Sequence, residues 1–257
     1  VGTLKEEIAE TLGLSAGVKV VAGAGDNAAA AVGTGVVGEG GCNISLGTSG
    51  TLFVSSAKYR PDGTNALHSF CHADGGWHLM GCILSAASCN AWWSDRILQT
   101  DDYAKEQEVP RELPGRNGVY FLPYLMGERS PHNDVNARGA FIGMRPDTDR
   151  KQMTLAVLEG VAFALKDCME AAAKDGVKPA RTKLCGGGAR SALWRRIIAD
   201  VTDMPVDIPQ TEQGPAFGAA LLAMVCRGEY ASVREAAGAV VKVKETVLPD
   251  REAAAGY

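Results

Sequence analysis

Cys42-Asn43-Ile44-Ser45-Leu46-Gly47-Thr48-Ser49-Gly50-Thr51-Leu52-Phe53-Val54-Ser55 contains two β-rich runs, 42–46 and 51–55, joined by Gly-Thr-Ser-Gly. It reads as a hairpin with a glycine-bounded turn, and it decides the class of fold. Two more glycine turns stand on either side of it in the chain, Gly23-Ala24-Gly25-Asp26-Asn27 and Cys185-Gly186-Gly187-Gly188-Ala189-Arg190-Ser191. Glycine lets backbone approach a ligand closely, and successive free N–H groups form anion-binding concavities. One such turn says little; three, one of them presenting a carboxylate, point to phosphoryl chemistry.

Working outward, the pattern predicts a helix over 3–14, a β run over 18–22 and a small-residue helix over 28–32. A second hairpin, 69–72 with 77–80, flanks Asp74-Gly75-Gly76. A helix follows over 85–98, then a strand over 119–122 and an irregular loop over 123–137. Met153, Val157, Gly160, Val161, Ala164, Leu165 and Cys168 recur at helical spacing, with Asp147, Thr148 and Asp149 as N-cap candidates and Gly176 beyond the end. Strands over 183–185 and 205–208 alternate with helices over 192–201 and 216–227, the last stopped by Gly228. Hairpins followed by βαβα alternation predict an α/β fold, a mixed sheet with helices on its faces.

Composition narrows the function. The 257 residues are 46% hydrophobic and 22% charged, ordinary for a globular protein able to bury a core. A net charge of −4 argues against a nucleic-acid partner, which needs a basic excess. Seven cysteines without a regular framework read as reduced thiols, hence a cytoplasmic protein. No apolar run reaches the roughly 18 residues a membrane span needs, and no secretory leader is evident. The chain begins at Val1 with a helix already under way, as if within a longer protein.

Each candidate site has a plainer alternative. Gly23-x-Gly25-x-x-Ala28 imitates a dinucleotide fingerprint, but Asp26 would put a carboxylate where the pyrophosphate belongs, and the next strand ends in Gly47-Thr48 instead of a ribose-binding acid. Gly33-x-Gly35-x-x-Gly38 follows a helix and is set aside. Asp26 itself reads equally well as a helix N-cap or as a catalytic general base. His68, Cys71, His72, His78, Cys82 and Cys89 alternate across a hairpin without a Cys-x-x-Cys pair, so they are read as packing and no metal site is expected. Glu128 and Arg129 read as a loop-stabilising pair, with substrate contact as the alternative, and Trp92-Trp93 as packing.

The residues carry a resemblance. Gly139-x-Phe141-x-Gly143-Met144, seven residues, then Gln152-Met153-x-x-Ala156-Val157-Leu158-Glu159 is similar, position by position, to the second signature of the FGGY-family carbohydrate kinases. Around it Gly-Asp26-Asn27-Ala-Ala, Ser45-Leu-Gly-Thr-Ser-Gly, Phe70-Cys-His followed by Trp77-His-Leu-Met-Gly81, Pro123-Tyr-Leu-Met-Gly-Glu-Arg-Ser-Pro-His132 and Gly186-Gly-Gly-Ala-Arg-Ser191 follow the family's order. Asp26 followed by Asn27 resembles the family's xylulose kinases, whereas its glycerol kinases usually carry Gln after the Asp.

The resemblance implies an RNase H-like domain of the actin/hexokinase/Hsp70 superfamily. It implies that 1–40 is the tail of a sugar-binding N-terminal domain and 41–257 the ATP-binding C-terminal domain, the boundary falling near 38–41. The implied activity is ATP-dependent phosphorylation of a ketopentose, D-xylulose to D-xylulose 5-phosphate, with ribulose, glycerol or a tetritol as alternative acceptors. A nucleotide-binding module without phosphotransfer is the reading from another class. Asp26 would be the base and Asn27 a sugar ligand; Gly47, Thr48 and Ser49 would meet the β/γ-phosphates of ATP with Mg2+; Gly187, Gly188 and Ser191 would meet adenosine. The family often has Asn where Ser191 stands. The N-terminal Asp-x-Gly-Thr phosphate hairpin is absent from the sequence, and Tyr257 falls where the family's last helix would begin, so this chain alone is expected to be inactive. The implied partner is a small sugar; a homodimer is compatible with the family.

Overall fold

The computed structural model describes every residue except Asn65 and Glu212. A short ribbon, β1 (Gly2–Thr3) and β2 (Lys19–Val20), encloses α1 (Glu6–Leu12), and α2 (Asp26–Gly33) follows. Four strands come next: β3 (Cys42–Leu46), β4 (Gly50–Ser56), β5 (His68–Cys71) and β6 (Trp77–Ile83). Then α3 (Ala87–Ala91) runs into a π-helical segment, Trp92–Leu98, and α4 (Tyr103–Glu106) precedes the ribbon β7 (Tyr120–Leu122) with β8 (Ala140–Ile142). The second half holds α5 (Arg150–Lys174), β9 (Thr182–Cys185), α6 (Ala192–Thr202), β10 (Val206–Pro209), α7 (Gly214–Arg227), α8 (Val233–Val240), β11 (Val243–Val247) and α9 (Arg251–Gly256).

Seven strands form one mixed sheet in the order β11-β10-β9-β3-β4-β6-β5. β3, β9 and β10 run parallel at its centre, and the hairpins β3–β4 and β5–β6 extend it antiparallel, with β4 paired to β6. This is the mixed sheet with helices on its faces that the sequence predicts, and it agrees with an actin-like ATPase fold.

One face is covered by α5, whose start is fixed by a reciprocal cap. Asp149 accepts the Gln152 N–H at 2.9 Å, and the Gln152 side chain accepts the Asp149 N–H at 2.9 Å. Leu155, Leu158, Val161 and Leu165 are wholly buried against the sheet, each worth about 1.5–3 kcal/mol by removal of apolar surface from water. Trp93 is buried here and donates its Nε1–H to Thr154 Oγ1 at 2.9 Å, while Trp92 stacks on Phe121, so both tryptophans pack the core. The other face carries a separate small cluster of Ala31, Val36 and Phe53 beneath α2.

Several expectations needed adjustment. The helix expected over 85–98 is α3 followed by the π-helical segment, and the β run at 18–22 shortens to the exposed pair Lys19–Val20. Strand β8 and helices α4, α8 and α9, with strand β11, form where no element was read. Glu128, expected to pair with Arg129, is a buried loop anchor that accepts the backbone N–H groups of Leu84 (3.0 Å) and Arg129 (2.7 Å). All seven cysteines are free thiols, and no helix among the described residues is long and apolar enough to cross a membrane.

Candidate nucleotide and acceptor site

Because β3 and β9 are parallel neighbours, with Ser45 beside Cys185, the turns that follow them leave the same edge of the sheet. The first turn is held from behind. The Gly47 carbonyl accepts the Ala87 N–H at 2.9 Å, and the Thr48 carbonyl accepts the Ala86 N–H at 3.0 Å and the Ser88 hydroxyl at 2.8 Å. The carbonyls of the hairpin are thus turned inward onto the start of α3, and Thr48 is exposed at the tip.

The second turn crosses the first in direct contact. Gly186 has φ +89°, and a β-carbon on it would lie 2.6 Å from the Leu46 carbonyl and 3.0 Å from the Gly47 nitrogen. A single-turn 3₁₀ segment, Gly187–Arg190, follows and passes into α6. Gly187 has open space where a β-carbon would be, but Gly188 does not: its β-carbon would meet the Leu46 side chain at 2.8 Å and the Trp194 ring at 2.9 Å. Gly188 is therefore closed in by Leu46 and Trp194, while Gly186 and Gly187 are the exposed glycines of the turn. Ser191 is the N-cap of α6, accepting the Trp194 N–H at 3.0 Å while its hydroxyl donates to Gln107 Oε1 at 2.6 Å. That hydroxyl proton is already committed.

Beside this turn lies a cleft of about 270 Å³ bounded by Gly186, Gly187, Ala189, Pro209, Gln210 and Gln213. Three cationic side chains, Arg190, Arg195 and Lys244, stand along it. Arg195 is aimed by the Ala189 carbonyl and by Glu245 at 2.8 Å. Glycine backbone beside a cationic rim is a donor set suited to an anionic ligand. Among the described residues no three His, Cys, Asp or Glu side chains come together as a metal-binding group.

Asp26 and Asn27 sit elsewhere. Gly25 is the N-cap of α2, so Asp26 is its first helical residue and not the cap. Its exposed carboxylate accepts the Asn27 N–H at 2.9 Å and bears on the positive end of the helix. No hydrogen bond among the described residues joins Asp26 or Asn27 to the Gly47 hairpin or to the Gly186–Gly188 turn. The connection is through packing: α2 lies on α7, which begins directly beyond the cleft at Gly214. A β-carbon on Gly218 would lie 1.8 Å from the Ala29 carbonyl oxygen, and one on Gly33 would lie 2.0 Å from that of Gly214. The helices cross with backbones in contact, carrying Asp26 and the cleft on adjoining elements.

The profile of the C-terminal domain of the FGGY family of carbohydrate kinases matches residues 42–226. The chain belongs to that family. Xylulose kinase of Escherichia coli K12 is 40% identical over 258 residues, an alignment covering all of this chain and 53% of that protein. A crystal structure described as a xyloylose kinase from Brucella ovis superposes with a TM-score of 0.92 at 39% identity, over all of this chain and 53% of that one. Gluconate kinase of Lactobacillus acidophilus superposes with a TM-score of 0.90 at 26% identity, over 98% of this chain and 52% of its own. The chain spans about half the length of the relatives it matches.

Gln107 and Lys244 are among the contributors that went unread in the sequence. Gln107, from the segment after α4, holds the Ser191 hydroxyl, and Lys244 reaches the cleft from β11; neither lies in a glycine turn or a periodic run that would have signalled it.

Proposed function

We propose that this chain is the nucleotide-binding half of an ATP-dependent ketopentose kinase that converts D-xylulose to D-xylulose 5-phosphate. In this reading 41–257 form the ATP-binding domain and 1–40 the tail of a sugar-binding domain. The observation that carries it is the backbone contact of Gly186 with Leu46 and Gly47, which holds two glycine turns at one sheet edge beside a cation-rimmed cleft. The xylulose kinase relatives, alike over the full chain, support the choice of sugar.

The Gly47-Thr48-Ser49 turn meets the β/γ-phosphates and the Gly187 turn meets the nucleoside side, with Gly188 and Ser191 supporting it from within. Mg2+ entering with the nucleotide would supply charge neutralisation for the transferring group. The rest falls to the chain's own residues. Asn27 orients the sugar, and the Asp26 carboxylate accepts the hydroxyl proton as that oxygen attacks the γ-phosphorus and the bond to ADP breaks. Phosphoryl transfer depends on positioning and electrostatic stabilisation, with one carboxylate at the nucleophile, and these residues provide that division of labour. Gluconate kinase, similar in fold, keeps another polyhydroxy acceptor as the second reading.

A coupled ADP-release assay with a panel of ketoses, polyols and gluconate tests this in a protein that also carries the sugar-binding domain. Highest kcat/KM for D-xylulose is expected. Preference for gluconate or glycerol would overturn the choice of acceptor, and no turnover with any of them would favour a binding module.

A further inference from the structure

The buried His72–Asp74 tip of the β5–β6 hairpin has no part in the reading above. It grips the crossover between α2 and β3, the segment that joins the helix carrying Asp26 to the strand carrying the phosphate hairpin. That crossover, 34–41, contains Gly35, Gly38, Gly40 and Gly41, the first three at φ between +75° and +77°. Such a segment is soft unless something holds it.

Backbone bonds tie its two ends, Val36 N–H to the Ala31 carbonyl at 2.7 Å and Gly40 N–H to the Ser55 carbonyl at 3.0 Å, and between them two side chains hold it. Asp74 Oδ2 accepts the Gly38 N–H at 2.7 Å, while Oδ1 accepts the Gly76 N–H at 2.9 Å. His72 Nδ1 accepts the Asp74 N–H at 3.2 Å, which makes Nε2 the donor to the Val36 carbonyl at 2.9 Å. His72 has no exposed side-chain surface and Asp74 has 7%. Around them Phe53 stacks on His78 with ring centroids 3.9 Å apart and meets His72 edge-on, closing the pair off from water. Arg234 of α8 lies against Gly38 on the outer side. Apolar packing tolerates sliding; two buried polar bonds to a carbonyl and an N–H two residues apart fix one position.

We infer that His72 and Asp74 are positioning residues, whose clasp on Val36 and Gly38 sets the bearing of α2, and with it Asp26, relative to the Gly47 hairpin. The inference rests on Asp26 being the base. A base displaced by an ångström loses much of its effect while nucleotide contacts, all on the far side of the crossover, are untouched.

The test uses Asp74→Ala, with Asp74→Asn as the conservative variant that keeps one accepting oxygen. In the chain itself, amide exchange at 36–41 should rise about tenfold or more in Asp74→Ala, exchange at 187–190 should stay as in wild type, and ADP affinity should hold within about twofold. In the kinase carrying the sugar domain, kcat should fall about tenfold to a hundredfold with KM for ATP nearly constant, and Asp74→Asn should lie between. Unchanged exchange at 36–41, a rise spread evenly over the sheet, or unchanged kcat would each overturn the clasp. An Asp26→Asn kinase with wild-type turnover would remove the base assignment alone; a rigid 36–41 segment in Asp74→Ala would remove the clasp alone.

Discussion

The α-carbon of Gly186 lies so close to Leu46 that a β-carbon on it would come within 2.6 Å of the Leu46 carbonyl. The Gly186–Gly188 turn and the Gly47 hairpin are therefore one unit joined backbone to backbone. Among their glycines, Gly50, Gly186 and Gly188 let protein meet protein, whereas Gly187 has open space beside it.

That division is testable by substitution. Gly188→Val should destabilise the domain by about 1–3 kcal/mol, because Leu46 and Trp194 already fill the place of its side chain. Gly187→Val should leave the melting temperature nearly unchanged and weaken ADP binding in calorimetry. A Gly187→Val protein with wild-type ADP affinity would place the nucleotide away from this turn.

Asp26→Asn should lower kcat of the assembled kinase by about 10²-fold or more, with ATP affinity nearly constant. The amide keeps size and most hydrogen bonding but cannot take a proton. Retention of over half the turnover would leave Asp26 as a first-turn charge on α2 and nothing else.

Stability should fall on the alkaline side because of Glu159. Burial pushes its carboxyl up to about 7, against the opposing pull of the Tyr257 hydroxyl at 2.7 Å and Asn117 at 3.2 Å. The folded state thus holds a proton that the unfolded chain releases near pH 4.5, so the contribution is complete below that pH and is lost as pH rises to about 7. Asp200, raised to about 6 by burial, acts in the same direction. His78 opposes them: burial and its neighbour His72 depress it to about 4, so its contribution is lost as pH falls below 6.5. Glu159→Gln should flatten the loss between about pH 4.5 and 7 in urea titrations by an amount on the order of a few kcal/mol. An unaltered slope would mean that Glu159 titrates as an ordinary carboxyl.

Gly218→Ala tests the crossing of α2 and α7. One methyl group aimed at the Ala29 carbonyl must push the helices apart, at about 1–3 kcal/mol, and should shift Asp26 without touching the cleft. Lower stability together with reduced kcat and unchanged ADP affinity is the expected triad; a fully stable variant would contradict the close crossing.

What was legible in the sequence follows from the range of the forces involved. The capping box at Asp149 and Gln152 and the helical stripe from Met153 to Cys168 are local, and α5 appears where they indicate. The hairpin joining β3 and β4 was equally plain. The packing of Gly188 against Leu46 and Trp194 was not, because a glycine that yields to Leu46, far away in sequence, looks the same as one in an open turn. The function of His72 and Asp74 was hidden for a similar reason: their partners, Val36 and Gly38, precede them by 36 residues. The strand Val243–Val247 escaped notice because it is an edge strand with mostly exposed residues and no alternating apolar face to mark it.

The side chains of Asn43 and Cys185 touch at 3.6 Å although 142 positions separate them. The cradle built on these two strands therefore has no local precursor: neither turn takes its working shape until β3 and β9 have found each other across more than half the chain. Loop closure over such a span is paid before any contact returns it, and central parallel pairings of this kind form slowly. During refolding, helix signals should recover first and capture of nucleotide last, which makes ADP binding a clock for the final docking of the two halves of the sheet.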